Sequence, residues 1–131
     1  MSYTRQTRIE FNHCDPAGIV FYPRYFEMAN SVCENFFREE VGVSYAEMTA
    51  SGRGVPMRHL EADFRAPSRL GEVLDWVLRV ERVGASSVTF RLDVASRLIL
   101  RLTLVWLGPD FRPHPWPAAM RAALTAHLET V

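Results

Sequence analysis

The feature that most restricts the possible folds of this chain lies between Pro23 and Phe37. There Tyr25, Phe26, Ala29, Val32, Cys33, Phe36 and Phe37 recur at steps of three and four residues, with Arg24, Glu27, Ser31, Glu34 and Arg38 on the opposite side. That spacing predicts an amphipathic helix with one broad apolar face. Pro23 suits its first turn, where an N–H has no partner inside the helix, and Gly42 suits its end. Ser44-Tyr45-Ala46-Glu47 has the spacing of a capping box, in which serine and glutamate each satisfy an orphan N–H. It predicts a second, short helix stopping near Gly52.

A helix face this wide needs an extended apolar surface to cover it, and the rest of the chain changes period from 3.6 to 2. Tyr3 to Phe11 alternates as a half-buried strand does, Leu60, Ala62 and Phe64 alternate with Glu61, Asp63 and Arg65, and Val88 to Val94 alternates again. Val73 to Val83 lies between Gly71 and Gly84, and Leu98 to Leu107 ends at Gly108-Pro109. Pro117 to Leu128 carries Met120, Ala123, Leu124 and Leu128 at helical spacing, which predicts a C-terminal helix. The expected class is α+β, with one long helix packed against an antiparallel sheet of about five strands. A length of 131 residues, 48% of them hydrophobic, suits one domain spanning residues 1–131.

Charge narrows the partners. Fifteen basic residues balance fifteen acidic ones and are spread from Arg5 to Arg121 rather than gathered into a stripe, so nucleic acid is not an expected partner. Every basic residue is arginine, which excludes Schiff-base chemistry on a lysine. Two cysteines are too few for a disulfide framework, and the N-terminus lacks a basic-then-apolar signal segment, so the cytoplasm is the expected compartment. The most apolar stretch, Leu98 to Leu107, is interrupted by Arg101 and Thr103, so no membrane association is expected.

Chemistry concentrates in Asp15 to Tyr22. Pro16 holds Asp15 extended and Gly18 permits a tight turn, after which Ile19, Val20, Phe21 and Tyr22 place large apolar side chains where loops are usually polar. A carboxylate, an apolar wall and a helix N-terminus therefore fall within a few residues of each other. Free N–H groups at a helix start can donate to an oxygen that gains negative charge. A thioester carbonyl would accept from the backbone around Phe21, Tyr22 and Arg24, while Asp15 acts on its carbon or on an attacking water. Taken alone, Asp-Pro-Ala-Gly fits better an aspartate that only bonds its own backbone, and it is the surrounding signature that reverses this.

The run Cys14-Asp15-Pro16-Ala17-Gly18-Ile19-Val20-Phe21-Tyr22-Pro23-Arg24-Tyr25 resembles the signature of hotdog-fold acyl-CoA thioesterases related to 4-hydroxybenzoyl-CoA thioesterase. The likeness extends more weakly through Asp63-Phe64 and Pro67 to Gly71-Glu72 and on to the last helix. It implies a long central helix wrapped by a curved sheet, two subunits joined through their sheets, and active sites at the subunit boundary, in a homodimer or homotetramer. It implies Asp15 as nucleophile or general base and the Tyr22 backbone N–H as carbonyl polariser, with Gly18, Phe21, Tyr25, Asn30 and His59 as substrate-contacting candidates. A related branch has histidine in place of Tyr22. In the hydroxybenzoyl branch an aspartate on the long helix meets the substrate's phenolic hydroxyl, and the matching residue here is Asn30, an amide without charge. By helical position Asn30 continues the row Phe26, Asn30, Cys33 at the border of the apolar face, which fits either a pocket residue or an asparagine facing water.

The remaining candidates read more plainly. His13 and Cys14 are neighbours on an extended segment, so their side chains point to opposite sides. His13, Cys14, Cys33 and His59 lack any compact metal-ligand spacing, so no metal is expected, and no cofactor beyond the coenzyme A that belongs to the substrate. Trp76, Trp106 and Trp116 supply packing area. Arg82, Arg91, Arg97, Arg101 and Arg112 are candidates for CoA phosphates, and each fits a solvated strand face as well. Hydrolysis of an aromatic or short acyl-CoA is the leading function. A hotdog hydratase or dehydratase needs an aspartate with a histidine a few residues on, and after Asp15 none occurs before His59. A non-catalytic subunit binding acyl-CoA or an acyl carrier is the other alternative.

Overall fold

The computed structural model describes residues 1–129. Its elements run β1 (Tyr3–Arg8), α1 (Pro23–Phe36), α2 (Tyr45–Ala50), β2 (Met57–Phe64), β3 (Val73–Val83), β4 (Ser87–Val94), β5 (Leu98–Val105) and α3 (Ala118–Ala126). All five strands pair antiparallel in the order β1-β3-β4-β5-β2. The consecutive strands β3, β4 and β5 form the centre through short turns, while β1 and β2, which flank the helices in sequence, go to opposite edges.

One face of this sheet meets α1. The register places Leu78 opposite Leu92, Leu92 opposite Leu100, and Phe90 opposite Leu102, all buried on the same side. From the helix, Tyr25, Met28, Ala29, Val32, Cys33 and Phe36 are buried against them. Phe36 meets Phe90 edge-on at 5.3 Å and Tyr3 at 5.6 Å, the geometry that sets the positive edge of one ring on the negative face of another. Burying each such side chain contributes about 1.5–3 kcal/mol, which is what holds a 14-residue helix that would be marginal alone.

The expected caps form. Pro23 opens α1, the last turn widens to a π-turn over Phe37–Val41, and Gly42 closes it at φ 84°, donating to Phe37 O at 2.8 Å. Ser44 Oγ accepts from Glu47 N–H while Glu47 accepts from Ser44 N–H, completing the capping box of α2.

Four sequence expectations are corrected. The first strand ends at Arg8, and Phe11 lies instead in a 3-10 turn (Phe11–His13), 84% exposed, because the Glu10 N–H turns to bond His13 Nδ1. Phe26 is only half-buried, and Met28 takes its place on the covered face of α1. The alternation in β2 does not bring burial with it: every residue but Leu60 is exposed in this edge strand, whose packing on α1 includes Phe64 at its end. The C-terminal helix stops at Ala126, and Leu128 pairs instead with Val80 of β3.

Candidate active site

The segment between β1 and α1 folds into a miniature hairpin. Asp15 N–H donates to Ile19 O at 2.9 Å, Gly18 N–H to Asp15 O at 3.0 Å, and Cys14 pairs with Val20. Gly18 sits at φ 78°, a conformation in which a side chain would be strained. Asp15, half-buried, accepts one hydrogen bond on Oδ1 from Ala17 N–H at 2.9 Å, an Asx-turn. That bond fixes the carboxylate while Oδ2 has no partner among the described residues.

The three backbone donors expected around the helix start reduce to one. Phe21 N–H donates to His13 O at 3.0 Å and Arg24 N–H to Phe21 O at 2.9 Å, so neither is free. Pro23 has no N–H. Among the described residues the Tyr22 N–H meets no acceptor, and it stands at the position preceding the helix, where the aligned peptide dipoles favour negative charge.

Tyr22 also lines a cleft of about 550 Å³ together with Ile19, Val20, Tyr25, Phe64 and the Arg65–Pro67 segment. Three of its eight lining residues, Tyr22, Tyr25 and Phe64, are aromatic. Phe64 stacks on Tyr25 and meets Tyr22 edge-on at 6.1 Å, and Phe26 stands 6.2 Å from Phe64. Asp15 does not itself line this cleft; it lies on the strand of the hairpin that bonds Ile19, which does. Phe64 and Pro67 belong to the stretch that carried the weaker family likeness, but no local pattern in the sequence assigns them to a pocket wall.

The other candidates are distributed as follows. Tyr25 is buried beneath the cleft and Phe21 is half exposed at its margin, without lining it. Asn30 faces solvent two turns up α1, and His59 is exposed on β2, bonded to Glu61 at 3.1 Å; neither lines the cleft within one chain. His13 and Cys14 are engaged separately, His13 Nδ1 by Glu10 N–H and Cys14 Sγ by Glu10 O. No group of three or more His, Cys, Asp or Glu side chains is placed to hold a metal ion among the described residues, and none of their helices is long and apolar enough to cross a membrane.

Among the arginines, Arg79, Arg91 and Arg101 stand directly opposite one another on β3, β4 and β5. Like charges so placed repel, and the repulsion is offset by Asp93, which accepts from Arg79 and Arg91, and by Glu81, which accepts from Arg101. Arg97 is held by Glu72, whose carboxyl is lowered to about 2 chiefly by the hydrogen bonds from that guanidinium. By sequence Arg97 fits a phosphate ligand or a solvated strand face, and nothing local reveals that Glu72 faces it. Burial pushes the Cys33 thiol up to about 12 and raises Tyr45 as well.

The chain is similar to named proteins in sequence and in structure. It is 36% identical over 76 residues to 4-hydroxybenzoyl-CoA thioesterase of Pseudomonas sp., a match covering 56% of this chain and 53% of that one. It is 29% identical over 87 residues to 1,4-dihydroxy-2-naphthoyl-CoA hydrolase of Prochlorococcus marinus, covering 60% and 57%. The matches thus span little more than half the length of these curated relatives. A thioesterase-superfamily structure from Jannaschia sp. superimposes with a TM-score of 0.88 over 98% of this chain and 94% of that one, at 24% identity. The shared architecture is the hotdog fold. The thioesterase-like superfamily matches residues 9–124, and the chain belongs to that superfamily.

Proposed function

We propose that the chain is an acyl-CoA thioesterase acting on an aromatic or short acyl group, releasing the free acid and CoA. The observation that carries this reading is the unpaired Tyr22 N–H, set at an aromatic cleft on the same loop as the half-free Asp15 carboxylate. A thioester carbonyl bonded to Tyr22 N–H becomes more electrophilic, and the helix start stabilises the oxyanion that develops. Asp15 Oδ2 then either attacks the carbonyl carbon, expelling CoA as thiolate and leaving an anhydride that water hydrolyses, or takes the proton of an attacking water. Names of the curated relatives, both acting on hydroxylated aromatic acyl-CoAs, support the aromatic substrate class.

Asn30 lies eight residues along α1 from Tyr22, about 12 Å at the rise of an α-helix. A benzoyl ring with a polar group at its far end fills such a span once a hydrogen bond is added at each end. A neutral amide there favours a hydroxyl or carbonyl substituent over a charged one. The reading includes a second copy of the chain joined along β2, whose outer edge is unpaired and whose residues other than Leu60 are exposed. That pairing sets the cleft, which Phe64 of β2 lines, at a subunit boundary, and any contact of His59 with substrate arises only there.

The test is thiol release from benzoyl-CoA, 4-hydroxybenzoyl-CoA, phenylacetyl-CoA and a short aliphatic acyl-CoA, for wild type and Asp15→Asn. A loss of at least about a hundredfold in a folded mutant supports the assignment of Asp15. Absence of turnover on the whole panel, or an equally active mutant, overturns it.

A further inference from the structure

Arg97, the last residue of the β4–β5 turn, commits both terminal guanidinium nitrogens to one neighbouring segment. Its Nη1 donates to Pro67 O at 3.1 Å, Ser68 Oγ at 3.1 Å and Glu72 Oε1 at 3.2 Å, and its Nη2 to Glu72 Oε2 at 2.6 Å. Its carbonyl accepts from Arg65 and Ala66 N–H at 2.8 and 3.2 Å. Both ends of the 65–68 stretch are thus tied to one residue, and Arg65, Ala66 and Pro67 form a wall of the cleft.

The same segment is laced to the Ile19–Val20 stretch, which also lines the cleft. Val20 N–H donates to Ser68 O at 2.9 Å, Leu70 N–H to Gly18 O at 3.1 Å, and Ile19 pairs with Arg69. Glu72 Oε1 also accepts from Arg69 N–H. A bidentate guanidinium–carboxylate fork is rigid in direction, which a lysine would not be. With side chains 26% and 34% exposed, the pair adds a stability reduced by solvent screening. What bears on the cleft is its geometry.

We propose that Arg97 and Glu72 are positioning residues that set the width of the acyl cleft, by holding the Arg65–Pro67 wall and, through Ser68 and Arg69, the Ile19–Val20 wall that precedes the Tyr22 N–H. This rests on the thioesterase reading for its substrate, while the geometry it concerns is measurable without turnover. A wall displaced by about 1 Å can cost a factor of about 10² in rate for a substrate that fills the cleft. A short acyl group that does not reach the wall is spared.

The experiment measures amide hydrogen exchange over residues 18–22 and 65–70, and kcat and KM for benzoyl-CoA and acetyl-CoA, in wild type, Arg97→Met, Arg97→Lys and Glu72→Gln. In Arg97→Met, exchange is expected to quicken in both segments, and KM for benzoyl-CoA to rise by about tenfold or more with acetyl-CoA changed only a few-fold. Arg97→Lys is expected to recover part of the difference. Exchange unchanged in 18–22, or equal losses on the two substrates, overturns the proposal. If wild type turns over neither substrate the thioesterase reading fails and the exchange comparison alone decides the clamp. Should Arg97→Met fail to fold, Arg97→Lys and Glu72→Gln carry the same comparison.

Discussion

Phe64, the last residue of β2, stacks on Tyr25 in the first turn of α1, with ring centroids 5.7 Å apart and planes 26° from parallel. The contact joins an edge strand to the helix that opens the cleft. Phe64 remains 44% exposed, so Phe64→Ala should destabilise by less than the roughly 3–5 kcal/mol of a fully buried phenylalanine. Phe36→Ala should reach that range. Loss of the aromatic wall should raise KM for benzoyl-CoA by about tenfold while leaving acetyl-CoA near wild type. Thermal melts and steady-state kinetics on both variants check this, and an unchanged KM in Phe64→Ala speaks against an aromatic acyl group in this cleft.

Tyr22 has φ −54°, which proline can adopt, and its N–H meets no acceptor among the described residues. Tyr22→Ala removes the ring and keeps the donor; Tyr22→Pro removes both. If the N–H polarises the thioester, kcat should fall a further 10²–10³-fold, roughly, from the alanine to the proline variant. Similar kcat values in two folded variants would move the oxyanion site elsewhere.

Glu72 has its carboxyl lowered to about 2, against an ordinary value of 4.5, first by hydrogen bonds from Arg97. A carboxyl depressed in the folded state adds stability that is fully present above its unfolded value and is lost as pH falls through the folded one. The contribution should therefore disappear between about pH 5 and pH 2. Denaturant titrations of wild type and Glu72→Gln across that range should converge as pH falls. A constant gap would show that the carboxylate's charge is not what the variant removes.

Cys33 is buried on the covered face of α1 with its thiol pushed up to about 12, while Cys14 is partly open to solvent. Reaction needs the thiolate and access to it. A thiol-reactive disulfide should label one cysteine per chain under native conditions and two after unfolding, and Cys14→Ser should abolish the native reaction. Fast native labelling of Cys33 would indicate that α1 opens far more readily than its packing implies.

What could be read from the chain by itself is what depends on neighbours a few residues apart. The helical stripe after Pro23, the stop at Gly42, the Ser44–Glu47 capping box and the bounds of β3 at Val73 and Val83 all follow from local periodicity and capping chemistry, and they form as expected. The Asp15 loop was legible in the same way, through its proline, its glycine turn and its likeness to a family signature. The strand alternation of Leu60, Ala62 and Phe64 was equally legible, yet it misled about burial, because alternation reports which residues share a face and not whether anything covers it.

Only the tertiary structure decided the rest, because each remaining feature depends on which distant segments meet. Sheet order put β2 at an edge and so brought Phe64 onto Tyr25. The carbonyls of His13 and Phe21 took up two of the three expected donors and left Tyr22 alone. Arg97 found Glu72 across the β2–β3 connection. Hydrogen bonds are saturable and short in reach, so whether a given N–H or guanidinium is free is a property of the assembled fold and not of the residue's place in the sequence.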